Sequence, residues 1–296
     1  MLRASTSAST SNNKYHVKVE GREVHFSPLN KLKRQTGGVS LLKVEHLTKV
    51  YPNGTEALKD VSFSVDDGEF LVIIGLSGSG KSTLLRCINR LIDPTEGQIF
   101  LDDTDVTKAT PGELRQLRRH IGMVFQQFNL VKRSSVMTNV LSGRLGYVNP
   151  LLSLMGIWSK TDRERALQAL DRVGIKDKAS SRADALSGGQ QQRVGIARTL
   201  MQDPKLILAD EPVASLDPVL SHSILRYLEL LNKEGITVLC SLHFLDLVHR
   251  YATRVIALKD GVKVFEGFPK EINREKFKEI YGEEAQEVRA TTVEEG

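Results

Sequence analysis

Gly75-Leu76-Ser77-Gly78-Ser79-Gly80-Lys81-Ser82 follows the spacing GxxxxGK[ST], and Thr83 continues it. Glycines at Gly75, Gly78 and Gly80 let the backbone wrap a polyphosphate with its N–H groups turned inward, helped by Ser77 and Ser79. A helix starting here adds the positive end of its dipole. Lys81 is placed to bridge β- and γ-phosphates, and the Ser82 hydroxyl to ligate Mg²⁺. Far along the chain, Leu206-Ile207-Leu208-Ala209 ends in Asp210-Glu211. Two carboxylates then stand at the carboxyl edge of a strand, where open α/β sheets bind ligands. Asp210 is suited to hold the magnesium and Glu211 to polarise an attacking water.

These groups need a strand before the loop and a helix after it. Phe70-Leu71-Val72-Ile73-Ile74 is apolar throughout, the pattern of a parallel strand covered on both faces. Leu84, Leu85, Ile88, Leu91 and Ile92 form one helical stripe, stopped at Asp93-Pro94. Upstream, Leu42, Val44 and Leu47, the Pro52-Asn53-Gly54 turn, and the alternating Val61, Phe63 and Val65 predict antiparallel β-structure. Residues 128–186 change to helix and loop texture. After a helix beyond Gln190, the strand 206–209, a helix over Val219–Leu231 and an apolar strand over Thr237–Leu242 alternate, so the sheet is expected to be largely parallel. Asp260-Gly261 predicts a tight hairpin.

The expected fold class is α/β: a P-loop core with a largely parallel sheet, an antiparallel β lobe and an α-helical insertion. The expected divisions are a basic, Ser/Thr-rich disordered extension over 1–40, an ATPase domain over 41–267 with its insertion at 128–186, and a charged tail over 268–296 that starts helical and frays.

The chain has 296 residues, 40% of them hydrophobic, with 41 basic against 36 acidic side chains. That composition excludes a wholly disordered chain, and the apolar runs Phe70–Leu76 and Leu151–Trp158 are too short to cross a bilayer. Residues 1–40 carry seven basic and two acidic residues, which accounts for the whole net charge of +5; the remainder balances at 34 against 34. A balanced body offers no stripe for a nucleic-acid backbone, so no nucleic-acid partner is expected. Cys87 and Cys240 lack ligand spacing, which points to a reducing compartment and no structural metal. The start lacks a secretory apolar run and is free of acid up to Glu20, a composition shared by organelle transit peptides and solvated tails.

Leu186-Ser187-Gly188-Gly189-Gln190-Gln191-Gln192-Arg193, lying between the phosphate loop and the Asp-Glu strand, resembles the signature of ABC-transporter ATPases. The resemblance spans about 41–267. It implies ATP and Mg²⁺ as cofactors and a second copy of the chain as partner, the two copies sandwiching two ATP molecules head to tail. Ser187, Gly188, Gly189 and Gln190 then act on the partner's ATP. Tyr51 matches the aromatic that stacks on adenine, and Gln126 the glutamine that touches Mg²⁺ or water and couples the site to the membrane subunit. His243 matches the histidine that contacts the γ-phosphate. Asp217 matches the loop that crosses the dimer interface, although Asp217-Pro218 also reads as a helix N-cap followed by proline at N1.

One phosphate loop and one signature, without a spanning segment, imply a subunit whose transmembrane permease is a separate chain. An importer of this kind also uses an extracytoplasmic substrate-binding protein and sits peripherally on the cytoplasmic face of the inner membrane. Gln127-Phe128-Asn129-Leu130-Val131, Asn139–Gly146, Glu211-Pro212-Val213-Ala214-Ser215 and Ser241-Leu242-His243 resemble the phosphonate-importer ATPases. Import of phosphite, phosphate or a polar amino acid stays open at this point. So do a non-transport ABC ATPase and a surface-binding role for the basic extension.

Overall fold

The computed structural model describes residues 15–19, 22–26 and 40–282. β1 (Tyr15–Val19) and β2 (Arg22–Phe26) pair antiparallel, a hairpin within the stretch whose composition suggests a disordered extension. The rest of that extension lies outside the described residues.

The antiparallel lobe is built from β3 (Ser40–Val50) and β4 (Glu56–Asp66), joined later by β6 (Glu96–Leu101) and β7 (Thr104–Asp105), in the order β4-β3-β6-β7. Between these pieces run β5 (Phe70–Ile74) and α1 (Lys81–Ile88). α2 (Pro111–His120) starts with a full capping box between Thr110 and Glu113 and leads into β8 (Ile121–Val124). The insertion follows as α3 (Val136–Leu141), α4 (Pro150–Leu154) and α5 (Lys160–Arg172).

α6 (Gly188–Leu200), β9 (Leu206–Ala209), α7 (Pro218–Lys233), β10 (Thr237–Ser241), α8 (Leu245–Tyr251), β11 (Arg254–Lys259), β12 (Val262–Gly267) and α9 (Arg274–Tyr281) complete the described chain. The main sheet runs β12-β11-β5-β10-β9-β8, parallel except for the hairpin strand β12. Along β5 the side chains alternate between two cores: Phe70, Val72 and Ile74 face the helical side, while Leu71 and Ile73 face the β lobe. Both faces are therefore dry, which is why the strand sequence shows no polar alternation.

The charged tail starts helical, as α9, and buries Phe277 and Ile280 on the helical side. One expectation is corrected. The stripe after the phosphate loop ends early: α1 stops at Ile88 and Leu91 is 48% exposed. Arg90 causes the break. It takes a left-handed φ of 48°, and its guanidinium donates to the carbonyls of Val106 and Ala109, turning the chain out of the helix.

Candidate functional site

β5 delivers the loop and α1 receives it. Gly75 has φ +144°, and a Cβ there would stand 2.1 Å from the Leu258 carbonyl oxygen. Gly80 caps α1 at φ +103°, where a Cβ would meet the Ala57 carbonyl at 2.4 Å. No other residue type fits either place. α1 has no side-chain N-cap, so its first N–H groups remain available to an anion. Ser79 Oγ is buried without a partner. Ser77 and Gly78 are exposed, on the open rim.

Lys81 is 3% exposed, and its ammonium donates to the carbonyls of Gly75 and Leu76 at 2.9 Å each. Its Nζ lies 3.8 Å from Glu211 Oε1. Burial pulls the Lys81 pKa below its ordinary value, against the opposing pull of Glu211 and Asp210. A buried cation held by two carbonyls and an uncapped helix start fit a polyphosphate.

Register places the acidic residues opposite this loop. Ala209 pairs with both Val124 of β8 and Cys240 of β10, so Gln126, Asp210, Glu211 and His243 all follow the carboxyl ends of neighbouring strands. The Ser82 hydroxyl donates to Asp210 Oδ1 at 2.7 Å. Hydroxyl and carboxylate oxygens are the hard donors Mg²⁺ prefers. Among the described residues no three His, Cys, Asp or Glu side chains cluster as a self-contained metal site. The donor set therefore fits a magnesium ion that completes its shell with phosphate oxygens and water.

Glu211 sits at a left-handed φ of 47°, a strained conformation for a side chain of this size. Its N–H donates to Ser241 Oγ at 2.8 Å, and its Oε1 lies 2.6 Å from His243 Nε2. The hydrogen bond to His243, reinforced by the charge of Lys81, holds the Glu211 carboxyl below its usual range despite partial burial. The group is thus anionic, oriented and 16% exposed.

The remaining sequence-predicted residues divide into two sets. Tyr51 joins the loop through its hydroxyl, 3.2 Å from Thr83 Oγ1, with Lys49 Nζ 5.4 Å from its ring centroid. Gln126 is exposed beyond β8. Ser187 and Gln190 satisfy each other as a capping box at the start of α6. Gly188 packs near Leu216 and Phe128, and Gly189 near Leu220. Asp217 caps α7 by accepting from the Leu220 N–H at 2.9 Å. The structure thus joins Tyr51, the loop, Asp210, Glu211 and His243 in one network. It gives Ser187, Gln190 and Asp217 partners only in their own caps.

Spacing alone does not mark three further contributors. Arg86 reaches Asp210 Oδ2 at 3.4 Å across 124 residues of sequence. Gln192, fully buried on α6, donates from Nε2 to the carbonyl of Pro212, the residue after Glu211, at 2.8 Å. Arg198, also on α6, donates to the carbonyls of Phe128 and Asn129, both at left-handed φ just after Gln126. α6 is therefore tied to the segment after Glu211 and to the segment after Gln126. The signal available in the sequence is that all of these lie in or beside motifs already identified.

A family model described as ABC transporter matches residues 58–214. The chain is 56% identical over 250 residues to a Bdellovibrio bacteriovorus protein named "Phosphonates import ATP-binding protein PhnC", covering 84% of this chain and 96% of that one. It is 54% identical over 248 residues to the Shouchella clausii protein of the same name, covering 83% and 93%. Among solved structures, the ATP-binding cassette MJ0796, a dimer in a post-hydrolysis state bound to ADP and Pi, superposes with a TM-score of 0.69 at 37% identity, covering 77% of this chain and 98% of that one. The cbiO1 protein of Clostridium perfringens, part of the ABC transporter complex cbiONQ, gives 0.70 at 35% identity, covering 80% and 92%. With the phosphate loop, the paired acids and the signature helix in the places described, this chain belongs to the ABC transporter ATPase family.

Proposed function

We propose that this chain is the ATP-hydrolysing subunit of a phosphonate importer. It works as a head-to-tail pair on the cytoplasmic face of the inner membrane, beneath separate permease subunits that receive cargo from an extracytoplasmic binding protein. The observation that carries the hydrolytic reading is the Glu211–His243 pair, 2.6 Å apart and beside buried Lys81. The names of the relatives supply the cargo class.

In this reading Tyr51 stacks against the adenine, and the N–H groups of Gly75–Thr83 enclose the phosphates. Lys81 exchanges its two carbonyl partners for β- and γ-phosphate oxygens. Ser82 and Asp210 would hold Mg²⁺, with Gln126 after β8 as a further donor; the ion, when bound, would neutralise phosphate charge. Glu211 accepts a proton from the attacking water at Oε, and His243 fixes that carboxylate and contacts the γ-phosphate. Ser187, Gly188, Gly189, Gln190 and Asp217 face the ATP held by the other copy. Most of the rate gain then comes from positioning and charge stabilisation, which half a site supplies poorly.

The test is growth of a strain deleted for this gene on a phosphonate, phosphite or phosphate as sole phosphorus source. Wild type should restore growth on the phosphonate and Glu211→Gln should not. Growth of the deletion strain on the phosphonate, or rescue by Glu211→Gln, would contradict the proposal.

A further inference from the structure

Where β9 ends, the Asp210 N–H still donates to the Val124 carbonyl of β8 at 2.9 Å. The next N–H, that of Glu211, turns to the opposite neighbour, β10, and meets a side chain there: the Ser241 Oγ, at 2.8 Å and 30 residues away in sequence. Ser241 alternates along β10 with Cys240, which faces the helical core. It therefore shares the face of Leu239, packed with Leu84 and Leu85 of α1. The residue is fully buried. The proton of its hydroxyl has two acceptors in range, the Ala209 carbonyl and Asp210 Oδ1, each at 3.5 Å. Val238, Leu239 and Cys240 before it are all buried and apolar, and a hydroxyl in such a strand is costly unless it is bonded. This one spends its lone pair on the backbone of one acid of the site and lies beside the carboxylate of the other.

Glu211 is the residue that needs such support. Its φ of 47° is a strained, left-handed conformation, and strain of this kind persists only where the surroundings over-determine it. Two anchors do so, and both come from the end of β10. Ser241 holds the main-chain N–H, and His243 Nε2, two residues on, lies 2.6 Å from the carboxylate Oε1. The side chain is thus gripped at both ends, with Oε1 kept 3.8 Å from Lys81 Nζ. Removing the Ser241 oxygen would leave the Glu211 N–H without its acceptor and free the backbone that aims the carboxylate. Alanine fits the same space, so the hydroxyl can be withdrawn without crowding the strand.

We propose that Ser241 is a positioning residue for hydrolysis, holding the Glu211 backbone in its left-handed turn so that the carboxylate stays aimed at the attacking water. It touches no substrate and acts through Glu211. The inference rests on the reading of Glu211 as the base, and it is independent of which cargo the transporter carries.

The test is single-turnover ATP hydrolysis by the full-length chain, with ATP affinity titrated separately, for wild type, Ser241→Ala, Glu211→Gln and the double variant. Ser241→Ala should lower the hydrolysis rate on the order of tenfold while ATP affinity stays within about twofold. Ser241→Thr, which keeps the hydroxyl, should recover most of that loss. In the Glu211→Gln background, Ser241→Ala should cost less than about twofold, because the group it positions is already disabled. Equal losses in the two backgrounds, or a loss of ATP affinity matching the loss of rate, overturn the proposal, since a general packing role produces both. So does Ser241→Ala hydrolysing at the wild-type rate while Glu211→Gln is slow, a result that leaves the hydrolytic reading standing. A Glu211→Gln protein that hydrolyses at the wild-type rate overturns the hydrolytic reading and this inference together.

Discussion

α1 and α6 both begin at glycine-rich turns, yet their starts are built differently. α1 opens from Gly80 with no side-chain cap, and the groups around it, Lys81, Ser82, Asp210, Glu211 and His243, already touch one another. α6 opens with Ser187 and Gln190 closed on each other, and Asp217 is likewise closed on its own helix. The first arrangement gathers a cation, a hydroxyl and two carboxylates beside an open helix start, as the proposed hydrolytic site requires. The second is satisfied in the single chain and has to be re-engaged from outside, as expected if its ligand sits on another copy. α6 is joined to the segments that follow Glu211 and Gln126 through Gln192 and Arg198, so in the proposed function one helix links the reacting groups to the start that serves the other copy.

Changes on the α1 side should have the largest effects. Glu211→Gln removes the proposed base but keeps the hydrogen-bonding shape, so turnover should fall by at least about a hundredfold while nucleotide affinity is kept. Steady-state hydrolysis and fluorescent-nucleotide titration separate the two. Lys81→Ala should instead weaken nucleotide binding itself by on the order of a hundredfold, because a buried cation no longer meets the phosphates.

On the α6 side, Ser187→Ala should leave ATP binding by a single chain unchanged and lower hydrolysis; a matching loss of nucleotide affinity would erase the distinction between the two helix starts. A smaller effect is expected at the joint between them. Gln192→Met keeps the volume but leaves the Pro212 carbonyl unpaired, a loss of about 1–3 kcal/mol. If this bond positions Glu211, kcat should fall on the order of tenfold with KM unchanged. A purely structural role would lower melting temperature and affinity together.

The smallest expected effect is on pH dependence. The folded Glu211 pKa is depressed chiefly by His243, so the stability this contributes is complete above the ordinary glutamate value and is lost as pH falls through the folded one. The stability difference between wild type and Glu211→Gln should be constant near pH 7 and shrink below about pH 4.3. Paired denaturant melts check this.

How much of this was legible in the sequence depended on whether the information was local. The phosphate loop, β5, β9 and β10 follow from short runs in which every residue carries the signal, and Asp217 showed its capping role because proline follows it. The α1 stripe misled because Leu91 and Ile92 fit its period, whereas the stop depends on Arg90 reaching carbonyls of the segment before α2. Charge hid the docking of α9, although Phe277, Ile280 and Tyr281 stand at helical spacing. The β1–β2 hairpin lies where composition alone suggested disorder. Arg86 and Gln192 were readable as motif neighbours but not as contributors, since their partners are brought close only by sheet register and helix packing.

The claim that the site is completed by a second copy is tested most directly by light scattering of Glu211→Gln in saturating ATP and Mg²⁺, with ADP as the control. The account predicts a mass that doubles with ATP and not with ADP. A protein that stays monomeric in ATP, while titration shows its nucleotide site filled, would contradict it.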